Sequence, residues 1–157
     1  MKKALRPLAI LFLFIAAITF RHFVCERIIV SGNSMDPYLQ EGDVLWSRKY
    51  DTGSVQRMDI VTVRVERRLL IKRVIALPGD TVELAQDGIY VNGVKLFDSA
   101  GGVNLESVII LGENEYFVLG DNLSNSWDSR DFGAVTGDQI TGVVEYRFFP
   151  FWRMGYV

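Results

Sequence analysis

The sequence predicts an all-β body, mostly antiparallel and barrel-like, behind one N-terminal transmembrane helix. Three observations predict it. An uncharged apolar run opens the chain, short runs rich in Val, Ile, Tyr and Phe recur between turn residues, and nothing past Arg27 has the period of a long amphipathic helix. At 157 residues, 49% hydrophobic and 23% charged, the chain has the composition of one globular domain with no dividing linker. The expected division is an anchor over residues 1–26 and a β-rich domain over 27–157.

Residues 8–20 carry no charge, but as a helix they rise only about 20 Å, short of a hydrocarbon core of roughly 30 Å. Extension to residues 4–24 repairs the length, with Arg6 and Arg21 snorkelling to the two headgroup layers. Pro7 is tolerated in the first helical turn. A cleavable signal peptide is the competing reading, but its nearest exit, Ala17-Ile18-Thr19, ends on Thr, which favours an uncleaved anchor. Lys2, Lys3 and Arg6 outweigh Arg21 and Arg27 and orient the N-terminus to the cytoplasm, with the body on the extracytoplasmic side.

Strands are expected at residues 27–30, 44–48, 60–65, 69–77, 81–84, 89–91, 94–96, 115–119 and 141–149. Asp87-Gly88 and Asn92-Gly93 read as hairpin turns, and Pro78-Gly79-Asp80 as a turn between strands. Residues 99–104 are Gly-rich and read as a mobile loop. The aromatic stretch Phe148-Phe149-Pro150-Phe151-Trp152-Arg153 fits either a lipid interface or a cover over the end of the body.

Charge and composition exclude several functions. A net charge of −2, with no compact basic block, offers nothing to nucleic acid. His22 and Cys25 are the single histidine and cysteine, so neither an intrachain disulfide nor a Cys/His zinc site is available. A histidine-based hydrolase would need His22, which flanks the anchor, so any hydrolase here needs another base. No metal or cofactor is expected: Asp121, Asp128 and Asp131 form a conceivable cation site, but Arg130 stands among them.

Three stretches carry possible chemistry. Ser31-Gly32-Asn33-Ser34-Met35-Asp36-Pro37 follows a strand and can present a serine hydroxyl with its backbone N–H, or be an ordinary turn. Lys72 lies within an apolar strand, on the face of Leu70 and Val74. If that face is inside, desolvation lowers its pKa, and a neutral amine can take a proton from a hydroxyl; at a strand edge it would snorkel to water instead. Residues 120–133 are dense in short polar side chains and should form an ordered loop, with Asp128 paired to Arg130 and Arg73 reaching Asp121 or Asp128.

Together these stretches resemble the type I signal peptidases, membrane-bound Ser–Lys endopeptidases. The matching pieces are Ser34-Met35-x-Pro37, Lys72-Arg73-Val74 with Pro78-Gly79-Asp80, and Gly120-Asp121-Asn122 leading to Ser126-x-Asp128-Ser129-Arg130, in the family's order behind an anchor. The resemblance implies removal of signal peptides from exported preproteins after Ala-x-Ala-type sites. It implies Ser34 as nucleophile, Lys72 as general base, Ser126 as the hydroxyl that orients the lysine, and Arg73, Asp121, Asp128 and Arg130 as structural support. It also implies a shallow apolar substrate wall of Ile28, Val30, Met35, Leu39, Leu70 and Ile71. Position 32 is Gly where some relatives carry a second oxyanion-binding serine; Ser31, Asn33 or a backbone group is left to serve. The alternatives are a peptidase dedicated to one pilin or conjugation protein, a Ser–Lys self-cleaving regulator, which would need a DNA-binding module, and a non-catalytic membrane-tethered β-domain.

Overall fold

The structure, a computed structural model, describes Phe12 and residues 25–50, 53–98 and 107–157. The expected anchor lies outside these residues apart from Phe12, Cys25 and Glu26, the last two of which belong to a strand, and the Gly-rich loop lies outside them as well. Among the described residues no helix is long and apolar enough to cross a membrane.

The body is β-sheet with a few short helical turns. Its strands are β1 (Cys25–Ile29), β2 (Val44–Lys49), β3 (Ile60–Val65), β4 (Arg68–Ala76), β5 (Thr81–Ala85), β6 (Gly88–Val91), β7 (Val94–Asp98), β8 (Ser107–Ile110), β9 (Glu115–Leu119), β10 (Val135–Thr136), β11 (Ile140–Phe149) and β12 (Gly155–Tyr156). A large sheet runs β1-β2-β11-β3-β4-β9-β10, with β12 on β11, and a second runs β7-β6-β5-β8. All pairings are antiparallel. Among the described residues each sheet is an open path, and one core cluster, with side chains from both, packs the two sheets together.

Every strand expected from the sequence is present, with ends shifted by a residue or two. Strands β8, β10 and β12 were not expected: β10 and β12 have two residues each, too short to show an alternation, and β8 abuts the Gly-rich stretch. Asn92-Gly93 forms the hairpin turn, with φ of 51° and 78°. The other hairpin differs. Its turn is Gln86-Asp87, and Gly88 begins β6, where a Cβ would collide with the Phe97 carbonyl and the Lys95 side chain.

Among the described residues the core divides into three clusters. Val61, Val63, Val74 and Val118 centre the first. Ile75, Val82, Ile89 and Phe117 join the second sheet to the first. Val30, Met35, Leu39, Leu45, Ile60 and Val144 form the third, beneath the turn after β1. Strand β4 belongs to all of them, because its alternation sends Leu70 and Val74 to one cluster, and Ile71 and Ile75 to the others.

Candidate active site

The turn that carries Ser34 is pinned from below. Met35 and Leu39 are 1% and 0% exposed, so two apolar anchors sink into the third cluster on either side of Asp36-Pro37-Tyr38. The Leu39 N–H donates to the Met35 carbonyl at 2.9 Å, and the Asp36 N–H to the Asn33 carbonyl at 3.2 Å. Ser34 itself stays half-buried.

Lys72 is 2% exposed, among the largest fully buried side chains of the protein. Its neighbour across β3 is Val61, also fully buried, so the stem lies on apolar surface. The strand-edge snorkelling alternative is thereby removed. Lys72 Nζ donates to Ser126 Oγ at 2.9 Å. Burial lowers the Lys72 pKa from its ordinary 10.5, opposed by the Asp128 charge and assisted by Arg130.

The aspartates of the 120–133 loop are all engaged by protein donors, within the loop or on β4. Asp128, 0% exposed, accepts from Arg130 Nε at 2.8 Å, Arg130 Nη2 at 2.9 Å and the Gly120 N–H at 3.1 Å. Asp131 accepts from the Asp128 N–H at 3.0 Å, closing a capping box on the short helix Ser129–Phe132. Arg73 pairs with both oxygens of Asp121, at 2.7 and 2.6 Å, rather than with Asp128. The three aspartates considered for a cation are therefore each bonded to protein donors, and among the described residues no group of three or more His, Cys, Asp or Glu is arranged for a metal.

That loop is fastened to the serine turn. Asn122 donates its N–H to the Ser34 carbonyl at 3.0 Å and its Nδ2 to the Asn33 carbonyl at 3.1 Å. Gly120 makes the approach possible, since a Cβ there would collide with both Ser126 Oγ and the Ser34 carbonyl. The Ser34 carbonyl and the Ser126 side chain thus meet at one glycine, and Lys72 joins them through its bond to Ser126. Among the described residues Ser34 Oγ has no hydrogen-bond partner, and Lys72 Nζ bonds to Ser126.

A cleft of about 150 Å³ opens beside Ser34, lined by Ile28, Ile29, Val30, Ser31, Gly32, Met35, Leu69, Leu70 and Ile71. Leu39 is not on this wall; it is core beneath the turn. Ile29 and Leu69, exposed at the rim, were not expected there. The cleft runs between two strand edges: among the described residues β1 pairs only with β2, and β4 meets β9 only from Arg73 onward.

Comparison with known proteins matches residues 3–149 to the family described as signal peptidase, peptidase S26. The chain belongs to this family. It is 39% identical over 155 residues to signal peptidase I of Bacillus caldolyticus, covering 85% of this chain and 84% of that protein. It is 36% identical over 164 residues to signal peptidase I P of Bacillus subtilis subsp. natto, covering 93% and 88%. With signal peptidase I T of Bacillus subtilis strain 168 it is 35% identical over 164 residues, covering 93% and 85%. A crystal structure of a signal peptidase I from Enterococcus faecalis V583 superposes with a TM-score of 0.49 at 33% identity, covering 59% of this chain and 98% of that one.

Within this signal peptidase, sequence reasoning passed over Gly120 and Asn122 as working residues. Both stand in the Gly120-Asp121-Asn122 stretch, but their use depends on the Ser34 turn arriving from 86 or more positions away, and no local pattern signals that.

Proposed function

We propose that this chain is a serine endopeptidase that removes N-terminal signal peptides from exported preproteins after Ala-x-Ala-type sites, with Ser34 as nucleophile and Lys72 as general base. The observation that carries the reading is the buried Lys72, its pKa lowered and its amine bonded to Ser126, beside a loop fastened to the Ser34 carbonyl. A neutral amine has two N–H groups and one lone pair. Giving one N–H to Ser126 Oγ orients the lone pair, which takes the Ser34 proton as Oγ attacks the scissile carbonyl. The Ser34 N–H is the first donor to the oxyanion. Of the two side chains considered for the second, Ser31 lines the cleft and Asn33 does not. The Lys72 ammonium then returns the proton to the leaving amine, and neutral Lys72 deprotonates the water that releases the acyl group. Arg73, Asp121, Asp128 and Arg130 act by holding the loop. No cofactor or metal enters any step.

The substrate binds as an extended segment between the open edges of β1 and β4, where backbone groups can accept a strand on both sides. Ile28, Val30, Met35, Leu70 and Ile71 form a shallow apolar wall suited to small side chains. The anchor over residues 1–26 crosses the cell membrane with its N-terminus cytoplasmic and the domain outside. Two features support this seating: β1 starts at Cys25, at the very end of that segment, and Phe151 and Trp152 are 67% and 82% exposed, as interfacial aromatics are.

The test is cleavage of a purified preprotein with an Ala-x-Ala site, in detergent or liposomes, by wild type, Ser34→Ala and Lys72→Ala. Correct processing by wild type alone is expected. Processing by Ser34→Ala, or by Lys72→Ala at neutral pH, refutes the assignment.

A further inference from the structure

We propose that Arg153, acting with Arg147 and Asp43, is a positioning residue for the Ser34 turn, so that the C-terminal segment holds the nucleophile from behind. The inference rests on Ser34 being the nucleophile. The turn, residues 32–39, lies outside every strand, and its orientation therefore depends on what grips its main chain. From the front, Asn122 holds the Asn33 and Ser34 carbonyls. From behind, Arg153 Nη2 donates to the Tyr38 carbonyl at 2.9 Å and the Pro37 carbonyl at 3.3 Å, and Arg147 Nη1 donates to the Tyr38 carbonyl at 2.7 Å.

Asp43 ties the two guanidinium groups together. It is 2% exposed and accepts from Arg147 at 3.2 Å, from Arg153 at 3.3 Å and from the Gln40 N–H at 3.1 Å. Arg147 Nε donates to the Arg153 carbonyl at 2.7 Å, which fixes the second arginine's backbone through the first, and Arg153 Nη1 reaches Gln40 Oε1 at 2.7 Å. Two arginines more than a hundred residues downstream thus place their donors on the carbonyls just past the nucleophile.

Tyr38 joins this clamp to the Lys72 strand. Its ring lies 4.8 Å from the Arg73 guanidinium and 5.9 Å from that of Arg147. Arg73 is itself held by Asp121, next to the Asn122 that grips Ser34. A buried carboxylate with two guanidiniums is not an economical way to stabilise a fold, since apolar replacements of such groups are often neutral or better. Aimed at main-chain carbonyls, however, such a cluster specifies one conformation. A nucleophile misplaced by about 1 Å loses on the order of a hundredfold in rate.

The test compares the full chain in detergent as wild type, Arg153→Ala, Arg153→Lys, Ser34→Ala and Arg48→Ala. Arg48 pairs with Glu145 on the exposed face of the same β2–β11 ladder and serves as the control. With thermal unfolding midpoints above the assay temperature, Arg153→Ala is expected to lower kcat about tenfold or more and leave KM within about twofold, the signature of lost orientation rather than lost binding. The pH midpoint of kcat stays where it is in wild type, because the surroundings of Lys72 are unchanged. Arg153→Lys falls between, since an ammonium lacks the planar fork, and Arg48→Ala matches wild type. Wild-type kcat in folded Arg153→Ala, with Ser34→Ala inactive, overturns the clamp alone. If Arg153→Ala does not fold, a wild-type kcat in Arg153→Lys overturns it and a lowered one supports it. Activity in Ser34→Ala removes the nucleophile and the clamp together.

Discussion

Replacing Lys72 with methionine should abolish cleavage and make the protein more stable. Methionine has nearly the same length and an apolar end, and the site is 2% exposed between Val61 and the 120–133 loop. Exchanging a buried ion pair for apolar residues of similar volume is often neutral or stabilises by about 1–4 kcal/mol, and the desolvation that drives it acts on a single buried amine in the same direction. The Ser126 hydroxyl loses its amine partner, which offsets about 1 kcal/mol. For a 157-residue chain the net gain, up to about 3 kcal/mol, corresponds to an unfolding midpoint raised by up to roughly 12 °C at neutral pH.

The pH dependence separates this cause from better packing alone. In the unfolded chain the lysine keeps its proton up to about 10.5, whereas the folded chain releases it earlier. The unfolded state therefore binds more protons across that window, and wild-type stability rises with pH through it. The methionine variant lacks this contribution, so its advantage should shrink as pH approaches 10.5. Unfolding of both proteins in the same detergent at pH 7, 8.5 and 10 measures the difference, in which all other titrations cancel. A variant less stable than wild type at pH 7, or an advantage constant with pH, would falsify the claim that Lys72 is desolvated.

Three further outcomes follow from the same geometry. The pH–rate profile of wild type should rise on the alkaline side with a midpoint below 10.5, as the lysine loses its proton; a flat profile from mildly acidic to alkaline pH counts against Lys72 as base. Ser126→Ala should lower kcat about ten- to a hundredfold with the fold retained, because the amine loses the partner that orients it, and an unchanged kcat takes Ser126 out of the site. Gly120→Ala should cost about 1–3 kcal/mol of stability and most of the activity, because its Cβ meets Ser126 Oγ and the Ser34 carbonyl at once; wild-type kinetics would show that the two do not need to approach there.

The β class was legible in the sequence, because period-2 runs separated by turn residues leave few alternatives, and every described strand of four or more residues except β8 could be read from it. The sequence also offered the Ser–Lys chemistry proposed above, since a lysine inside an apolar strand is conspicuous and the single histidine flanks the expected anchor. Alternation correctly set Lys72 on the face of Leu70 and Val74. Whether that face was inside was decided only when Val61 and the 120–133 loop closed over it, because burial is a property of neighbours. The same reason governs the remaining choices. Arg73 could reach either of two aspartates, and the end of β9 brought Asp121 to it. Leu39 shares the apolar character of the cleft wall, but one turn of backbone sent it below Ser34 instead of beside it. Arg147 and Arg153 look like surface charges in a C-terminal aromatic stretch, and only the packing of that stretch against Asp43 turns them toward the Ser34 turn. Local propensity acts over a few residues, whereas the Lys72–Ser126, Arg73–Asp121 and Arg153–Asp43 contacts join positions 54, 48 and 110 residues apart, and the tertiary fold is where these partners are chosen.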